Sequence, residues 1–273
     1  MRRRSTITLL VWAWIITVAI PLAAAENDLS ERHSDYDMVL VHGLGSSAGV
    51  WDETVPFLQP FFNVWVYEMP GHGTTEPITN ASIASFAEDL GAFIHDNDIR
   101  NPVLVGHGLG AMLAMTYAFD HPSALDRLVI IDAAPKQLAS SEQKASIATQ
   151  LMENYDHFVA GYFLNMSPRE EINQTVTDQA LRTDVITFQQ LMMSSFDFDL
   201  SESLKRQSIP MLVVGSAMFF PDPTLARERM SQMGFGNARA INFKTMPELG
   251  HFMMLEQPGY LASVIVAFAG LQR

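Results

Sequence analysis

The segment VLVGHGLGAMLAM, residues 103–115, has the pattern of a buried strand, a sharp turn and the start of a helix. A turn of the form G-x-S-x-G holds a nucleophilic serine on a strained strand-to-helix turn, where its hydroxyl projects into a cleft. Gly106 and Gly110 stand at the two flanking positions, and Gly108 stands where the serine belongs. Because glycine has no side-chain oxygen, the segment keeps the form of a nucleophile turn without the nucleophile.

Two further residues have the types needed to move a proton. His251 lies in the segment GHF, and Asp132 ends the apolar run LVIID. An aspartate that accepts a hydrogen bond from an imidazole fixes its tautomer and stabilises the charged imidazolium. The eight histidines show no metal-ligand spacing such as HExxH, and the chain has no cysteine. The sequence therefore predicts no metal, no cofactor, no disulfide and no thiol chemistry.

Apolar runs of strand length alternate with helical patterns, which is typical of a parallel sheet covered by helices on both faces. The predicted strands span residues 38–41, 64–67, 103–105, 128–131, 211–214 and 240–243. The predicted helices span residues 82–95, 109–119, 223–233 and 258–271. The expected fold class is α/β, with a mostly parallel sheet of about six strands.

The pattern becomes polar and helix-rich over residues 136–207, a segment too long for an ordinary connection. We expect a helical cap there, inserted into a core formed by residues 26–135 and 208–273. Within the cap, Ser167 is predicted as a helix N-cap and Pro168 as the first helical residue, followed by acidic residues. A second cap helix is predicted over residues 184–196. Any cap methionines and phenylalanines that face the cleft favour an apolar ligand.

The first residues join Arg2, Arg3 and Arg4 to an apolar run that ends in three alanines, the layout of a secretory signal peptide. We predict a leader over residues 1–25 and a secreted or periplasmic protein, with no stable membrane insertion after cleavage. Loss of the three arginines changes the formal net charge from −13 to −16. A chain this acidic repels phosphate backbones, which argues against a nucleic acid partner.

Four motifs stand in order along the chain: VLVHGLGSS at 39–47, EMPGHG at 68–73, GHGLG at 106–110 and ELGHFMMLEQP at 248–258. In this order and spacing the chain resembles the α/β-hydrolase superfamily, most closely its small capped esterase-like branch. The resemblance spans nearly all of the chain beyond the leader. It implies a Ser-Asp-His triad architecture in which Gly108 replaces the serine, and His251 as the base that takes and returns the proton.

The position of the triad acid is open to two interpretations. Members of the superfamily often carry an aspartate three residues beyond a glycine after the strand predicted at 211–214, but here Met218 follows Gly215 at that spacing. In one branch of the superfamily the acid comes from the end of the preceding strand, where this chain has Asp132. We favour Asp132, and Asp222 is the alternative.

The resemblance also implies an oxyanion hole made of two main-chain N–H groups. Leu109 directly follows the elbow residue, and Leu44 directly follows His42 and Gly43. These two amides are the expected donors, and they do not depend on side-chain identity. We interpret His42 as a structural loop residue and His72 as a turn residue.

The sequence favours an exported scaffold of the carboxylic-ester hydrolase type, an inactive variant or pseudoenzyme that binds a small apolar ester-like substrate. One alternative is chemistry that needs only the His–Asp pair, namely a lyase or a cofactor-free oxygenase. Another alternative is a non-catalytic protein that binds an apolar ligand in the cleft.

Overall fold

A computed structural model of the protein describes residues 34–137 and 139–270. Its centre is a sheet of six parallel strands in the order β2-β1-β3-β4-β5-β6. The strands are β1 (Asp37–Val41), β2 (Asn63–Tyr67), β3 (Val103–His107), β4 (Arg127–Ile131), β5 (Met211–Ser216) and β6 (Ile241–Met246). The predicted leader, residues 1–25, lies outside the described residues.

Helices cover both faces of the sheet, as the alternating pattern predicts. They are α1 (Val55–Leu58), α2 (Ile83–Asp96), α3 (Leu109–Asp120), α4 (Ser141–Glu153), α5 (Tyr155–Phe163), α6 (Glu170–Ala180), α7 (Val185–Ser195), α8 (Ala226–Gln232), α9 (Met253–Glu256) and α10 (Pro258–Ala269). Short 3-10 turns lie at Ala48–Trp51, Ser203–Arg206, Pro223–Leu225 and Phe235–Asn237. Among the described residues, none of these helices is long and apolar enough to cross a membrane.

The strands divide their side chains between two apolar cores because successive residues of a strand point to opposite faces. Val39 and Val41 of β1 pack with α2 and α3, whereas Met38 and Leu40 pack with α10 on the other face. Both faces are buried, so β1, β3 and β5 are buried along their whole length. This explains why these strands have continuous apolar runs rather than an alternating pattern.

The predicted bounds need small corrections in the second half of the chain. Strand β6 begins one residue later than predicted and continues to Met246. The helix predicted over residues 223–233 is divided into a 3-10 turn, whose cap is Asp222, and the α-helix α8. Helix α10 ends at Ala269 because Gly270 takes a left-handed conformation at φ 77°.

Four helices, α4 to α7, lie between β4 and β5. The prediction for residues 184–196 matches α7, whose cap Asp184 accepts a hydrogen bond from the Thr187 N–H. The predicted N-cap at Ser167 is wrong: α6 begins at Glu170 with Arg169 at its cap. The side chain of Asn173, in the first turn of α6, bonds the main-chain N–H and carbonyl of Ser167, and these local bonds hold Ser167 outside the helix.

Candidate active site

Gly108 occupies the tight turn between β3 and α3 at φ 54° and ψ −121°. The turn brings backbone segments so close that its flanking glycines are required. A Cβ on Gly106 would lie 2.5 Å from the Gly110 carbonyl oxygen, and one on Gly110 would lie 2.7 Å from the Val41 carbonyl oxygen. A side chain at 108 meets no such backbone obstruction, but it has to adopt a conformation that L-residues rarely take.

His251 faces this turn from the loop after β6. A Cβ built on Gly108 lies 3.3 Å from His251 Nε2 and 3.6 Å from its Cε1. The other ring nitrogen, Nδ1, lies 3.0 Å from Asp132 Oδ2. The imidazole therefore has its Nδ1 on a carboxylate and its Nε2 toward position 108, the orientation that a general base requires.

Asp132 follows the last residue of β4 and is buried. Ser216, at the end of the neighbouring strand β5, donates to both carboxylate oxygens: its N–H to Oδ1 at 2.7 Å and its hydroxyl to Oδ2 at 2.5 Å. These bonds fix the carboxylate and leave Oδ2 in contact with the His251 ring. Asp132 holds a positive φ of 45°, which is rare for a residue with a side chain.

Asp222, the alternative acid, has a different role. Its carboxylate is exposed and accepts hydrogen bonds from the Thr224 N–H and hydroxyl, at 2.9 Å and 2.6 Å. These hydrogen bonds lower the pKa of the Asp222 carboxyl. Of the two candidate acids, the structure brings Asp132 to His251.

Three contacts fix the loop that carries His251. The His251 N–H donates to the Met166 carbonyl oxygen at 2.5 Å, and the Gly250 N–H donates to both Glu256 carboxylate oxygens at 3.1 Å and 2.9 Å. A Cβ on Gly250 would lie 2.6 Å from Ser167 Cα, so a glycine is needed for this close approach. The His251 ring is thereby held through its main chain as well as through Asp132.

His107, the neighbour of Gly108 in the turn, supports the same loop. It is buried, and its Nε2 donates to the His251 carbonyl oxygen at 3.0 Å. Burial, followed by the proximity of the His251 ring at a centroid distance of 4.3 Å, holds the pKa of His107 well below its ordinary value. A neutral His107 therefore acts as a hydrogen-bond donor to the loop and carries no charge near His251.

His42 directly follows β1, and its ring packs against that of His72 at a centroid distance of 5.3 Å. The Met69 N–H donates to His42 Nε2 at 3.1 Å, and the Gly45 N–H donates to His72 Nε2 at 3.2 Å. Burial, and next the neighbouring His42, lower the pKa of His72 to about 3. Both rings hold backbone in place, as the interpretation of these two histidines as loop and turn residues predicts.

The two predicted oxyanion donors lie on either side of the turn. Leu44 and Leu109 both line the cavity that also includes Gly108, Asp132 and His251. Within the described part of the chain, neither main-chain N–H takes part in a hydrogen bond. Two free amides next to a general base can polarise a carbonyl group and stabilise the oxyanion that forms from it.

The cavity above Gly108 has a volume of about 300 Å³. Helices α3 to α5 and α7 contribute to its walls, which are mostly apolar. The apolar wall includes Met112, Ile147, Phe163, Met192, Phe196 and Phe252. Besides His107, Asp132 and His251, the polar side chains of the lining include Lys136, Gln137, Tyr162 and Ser195. A small apolar molecule with one carbonyl group matches this lining.

Among the described residues, no group of three His, Asp or Glu side chains could hold a metal ion.

The model of the Alpha/beta hydrolase family matches residues 38–264. This chain belongs to the α/β-hydrolase family. The matched residues include β3 and β4, which Gly108 and Asp132 directly follow, and the loop that carries His251.

Known relatives of this α/β-hydrolase include esterases. It is 28% identical over 191 residues to a pimeloyl-[acyl-carrier protein] methyl ester esterase of Vibrio cholerae, covering 64% of this chain and 73% of the relative. It is 22% identical to Karrikin insensitive 2 receptor CA of Petunia hybrida, covering 84% and 90%. Its fold is similar to that of the enol-lactonase from Burkholderia xenovorans, with a TM-score of 0.75, 19% identity and coverage of 88% and 94%.

Ser216 and Glu256 are residues of the candidate site that sequence reasoning missed. Ser216 occurs in GSAM, directly after the Gly215 from which the expected acid was counted, and Glu256 occurs in the LEQP part of the last motif. Glu256 follows the apolar run FMML, and a glutamate in such surroundings is rarely buried unless it is bonded, so its place was a usable signal. Ser216 gave no comparable signal because serine is common at strand ends.

Proposed function

We propose that the chain is a scaffold of the carboxylic-ester hydrolase type that binds a small apolar ester-like molecule and lacks the nucleophile at position 108. One distance carries the proposal: a Cβ on Gly108 lies 3.3 Å from His251 Nε2. A hydroxyl on that Cβ reaches hydrogen-bond distance of Nε2 once the ring moves by a few tenths of an ångström. His251 and Asp132 are therefore arranged to activate a hydroxyl group at position 108, which glycine does not have.

The remaining groups support slow hydrolysis by water. The amides of Leu44 and Leu109 polarise the ester carbonyl, and His251 takes a proton from water while Asp132 stabilises the imidazolium. The proton returns from His251 to the leaving alcohol. Deletions of triad residues in related chemistry leave about 10³–10⁴-fold catalysis over water, so the unaltered chain is expected to be far slower than a serine hydrolase.

The names of the relatives support an ester or lactone as the ligand class. A methyl ester esterase and an enol-lactonase both act on a carboxylic ester bond, and the apolar cavity of about 300 Å³ favours small acyl groups.

The test compares the unaltered chain with Gly108→Ser and Gly108→Ala on a panel of short apolar esters. Gly108→Ser is expected to gain esterase activity, with a burst of acyl-enzyme formation. Gly108→Ala is the matched control, because it adds the same Cβ and backbone strain without the hydroxyl, and it is expected to gain none. A folded Gly108→Ser variant without activity on any ester would refute the proposal.

The intact His251–Asp132 pair favours a second candidate, chemistry that needs no nucleophile. Nε2 faces the cavity past Gly108, so it could take a proton from a bound substrate in a lyase or cofactor-free oxygenase reaction. This candidate requires that the unaltered chain turns over a substrate with an acidic C–H bond and that His251→Ala abolishes the turnover. Tight binding without turnover, unchanged in His251→Ala, would instead indicate a binding protein.

Export is part of the same proposal. The arginines and apolar run of residues 1–25 support a cleaved leader and a secreted or periplasmic location. Mass spectrometry of the protein isolated from each cell fraction tests this. A chain in the periplasm or medium that begins at Glu26 is the expected result, and a full-length chain in the cytoplasm would contradict it.

A further inference from the structure

The loop after β1 leaves one main-chain N–H unused beside the nucleophile turn. The Gly45 N–H donates to His72 Nε2 at 3.2 Å, and the Ser46 N–H donates to the Gly43 carbonyl oxygen at 3.2 Å. The Leu44 N–H, by contrast, has no partner within the part of the chain that the structure describes. Because the next two N–H groups are satisfied inside the fold, the loop offers the Leu44 N–H to a molecule in the cavity.

Two hydrogen bonds hold the peptide group to which the Leu44 N–H belongs. This group joins the Gly43 carbonyl to the Leu44 nitrogen, and it is trans. In a trans peptide the C=O and the N–H lie in one plane and point in opposite directions. The Gly43 oxygen accepts from the Ser46 N–H and lies 2.9 Å from His42 Nδ1. A carbonyl oxygen can only accept, so Nδ1 carries a proton and is the donor of this bond.

The direction of the Leu44 N–H is therefore set from the far side of its own peptide group. The His42 side chain is fully buried, whereas Leu44 lines the cavity. Gly43 Cα lies 3.8 Å from a Cβ built on Gly108, so the peptide group lies directly beside the nucleophile position. A rotation of this group would turn the N–H away from a bound carbonyl oxygen, and a hydrogen bond weakens steeply as its angle closes.

Glu68, which directly follows β2, holds the other side of the His42 ring. Its Oε1 lies 2.8 Å from His42 Nε2 and accepts a hydrogen bond from the Ala48 N–H at 3.0 Å. The Met69 N–H also reaches Nε2, at 3.1 Å. These contacts on Nε2 orient the imidazole so that Nδ1 faces the Gly43 oxygen.

We propose that His42, held by Glu68, is the positioning residue of the oxyanion hole. Its Nδ1–H fixes the peptide group before Leu44, so that the Leu44 N–H faces the reacting carbonyl. The inference rests on the proposed function and deepens it, since it assigns a part in stabilising the oxyanion to two side chains that do not line the cavity. The bonds to the Gly43 oxygen also polarise the peptide group, which makes the Leu44 N–H a stronger donor.

Two substitutions of His42 distinguish this role from simple packing. The amide nitrogen of asparagine can take the place of Nδ1, whereas that of glutamine can take the place of Nε2. His42→Asn therefore keeps a donor for the Gly43 oxygen, and His42→Gln loses that donor but keeps a polar group beside Glu68. If the ring only packed, or acted only through Nε2, His42→Gln would be the milder change.

The first measurement is the hydrolysis of a short ester in the Gly108→Ser background. In His42→Gln, kcat is expected to fall about 10²-fold with little change in KM, because the loss of one oxyanion donor has an effect of this size. His42→Asn is expected to retain most of the kcat. A change in packing alone would not restore kcat in the smaller of the two side chains.

The second measurement needs no nucleophile. The unaltered chain is labelled with nitrogen-15 leucine and titrated with methyl butylphosphonate, whose anionic oxygens imitate the oxyanion. The Leu44 amide proton resonance is expected to move downfield as the phosphonate binds. In His42→Gln, but not in His42→Asn, the dissociation constant is expected to rise about tenfold, as for the loss of a hydrogen bond to a charged group. Glu68→Ala, at a side chain that is 23% exposed, is expected to weaken binding as well, and it decides if the His42 variants do not fold.

Equal kcat values and equal phosphonate affinities for His42→Gln and His42→Asn would overturn the inference. A Leu44 resonance that does not respond to the phosphonate would overturn it too. An inactive, folded Gly108→Ser refutes the proposed function, and the titration of the unaltered chain then still decides on the direction of the Leu44 N–H. An active Gly108→Ser whose kcat tolerates His42→Gln refutes only the inference.

Discussion

The main-chain N–H of His251 donates to the carbonyl oxygen of Met166 at 2.5 Å, so the helical segment between β4 and β5 holds the residue that faces Gly108. The link continues into α6, because Asn173 bonds the N–H and the carbonyl of Ser167 at 2.8 Å and 2.9 Å. The orientation of the proposed base thus depends on a side chain that does not contact the cavity.

This chain of contacts predicts that Asn173→Ala weakens catalysis without removing any reacting group. In the Gly108→Ser background, kcat on a short ester is expected to fall about tenfold with little change in KM, because a small displacement of the base raises the barrier more than it affects binding. Gln174→Ala is the control, since Gln174 is exposed on the same helix. Identical kcat values for the two double variants would contradict the link.

Ser216 is predicted to hold the Asp132 carboxylate in position. Ser216→Ala removes the 2.5 Å hydroxyl bond and keeps the 2.7 Å bond from the main-chain N–H. A bond to a charged group contributes about 1.5–3 kcal/mol, so unfolding by urea is expected to show a loss of that order. In the Gly108→Ser background kcat is expected to fall as well. Ser263→Ala, at an exposed hydroxyl, is expected to change neither quantity.

Glycine at 108 is predicted to stabilise the fold relative to any other residue. Gly108 has φ 54° and ψ −121°, and a side chain in such a region costs about 1–3 kcal/mol. Urea denaturation of Gly108→Ser and Gly108→Ala is expected to show this loss in both variants, and to a similar extent. A variant as stable as the unaltered chain would mean that the turn relaxes and that the strain is not inherent to it.

His72 is predicted to make the fold sensitive to acid. Its pKa falls from the ordinary 6.5 to about 3 in the fold. Below pH 6.5 the unfolded chain therefore binds a proton that the native chain does not, and stability decreases as the pH falls toward 3. The expected loss is about 1.4 kcal/mol per pH unit for this one group.

Denaturation between pH 7.5 and pH 5 measures this dependence. His72→Gln is expected to remove one proton's contribution from the slope. If the pH dependence of stability were the same in His72→Gln, the His72 ring would have to be protonated in the native state in spite of its hydrogen bond from the Gly45 N–H. The buried His107 contributes in the same direction, so part of the slope remains in His72→Gln.

The sequence was informative wherever one local pattern determined the structure. Apolar runs located every strand within a few residues, and they are most continuous in β1, β3 and β5, which are buried on both faces of the sheet. The order of the motifs predicted that His251 and Asp132 lie near Gly108, although His251 and Asp132 are more than a hundred residues apart in the sequence. Parallel strands whose carboxyl ends share one edge bring such residues together.

Three features were not predicted, each for its own physical reason. Helix α4 was missed because its side chains are mostly exposed, with Leu151 its buried residue, although Ser140 and Gln143 form a capping box that could have been recognised. Ser167 was taken for a cap because a serine before a proline and two glutamates suits that role, whereas its main-chain groups bond to the side chain of Asn173 instead. The partnership of Ser216 with Asp132 joins two strands and could not be read from either alone.

The most direct test of the account is the site of reaction with a fluorophosphonate probe in the Gly108→Ser variant. One phosphonyl group per chain, on the peptide that contains residue 108, is predicted, with the reaction lost when His251→Ala is added. A folded variant with no adduct, or with an adduct that forms equally well without His251, would contradict the placement of Gly108 and His251 as a nucleophile position and its base.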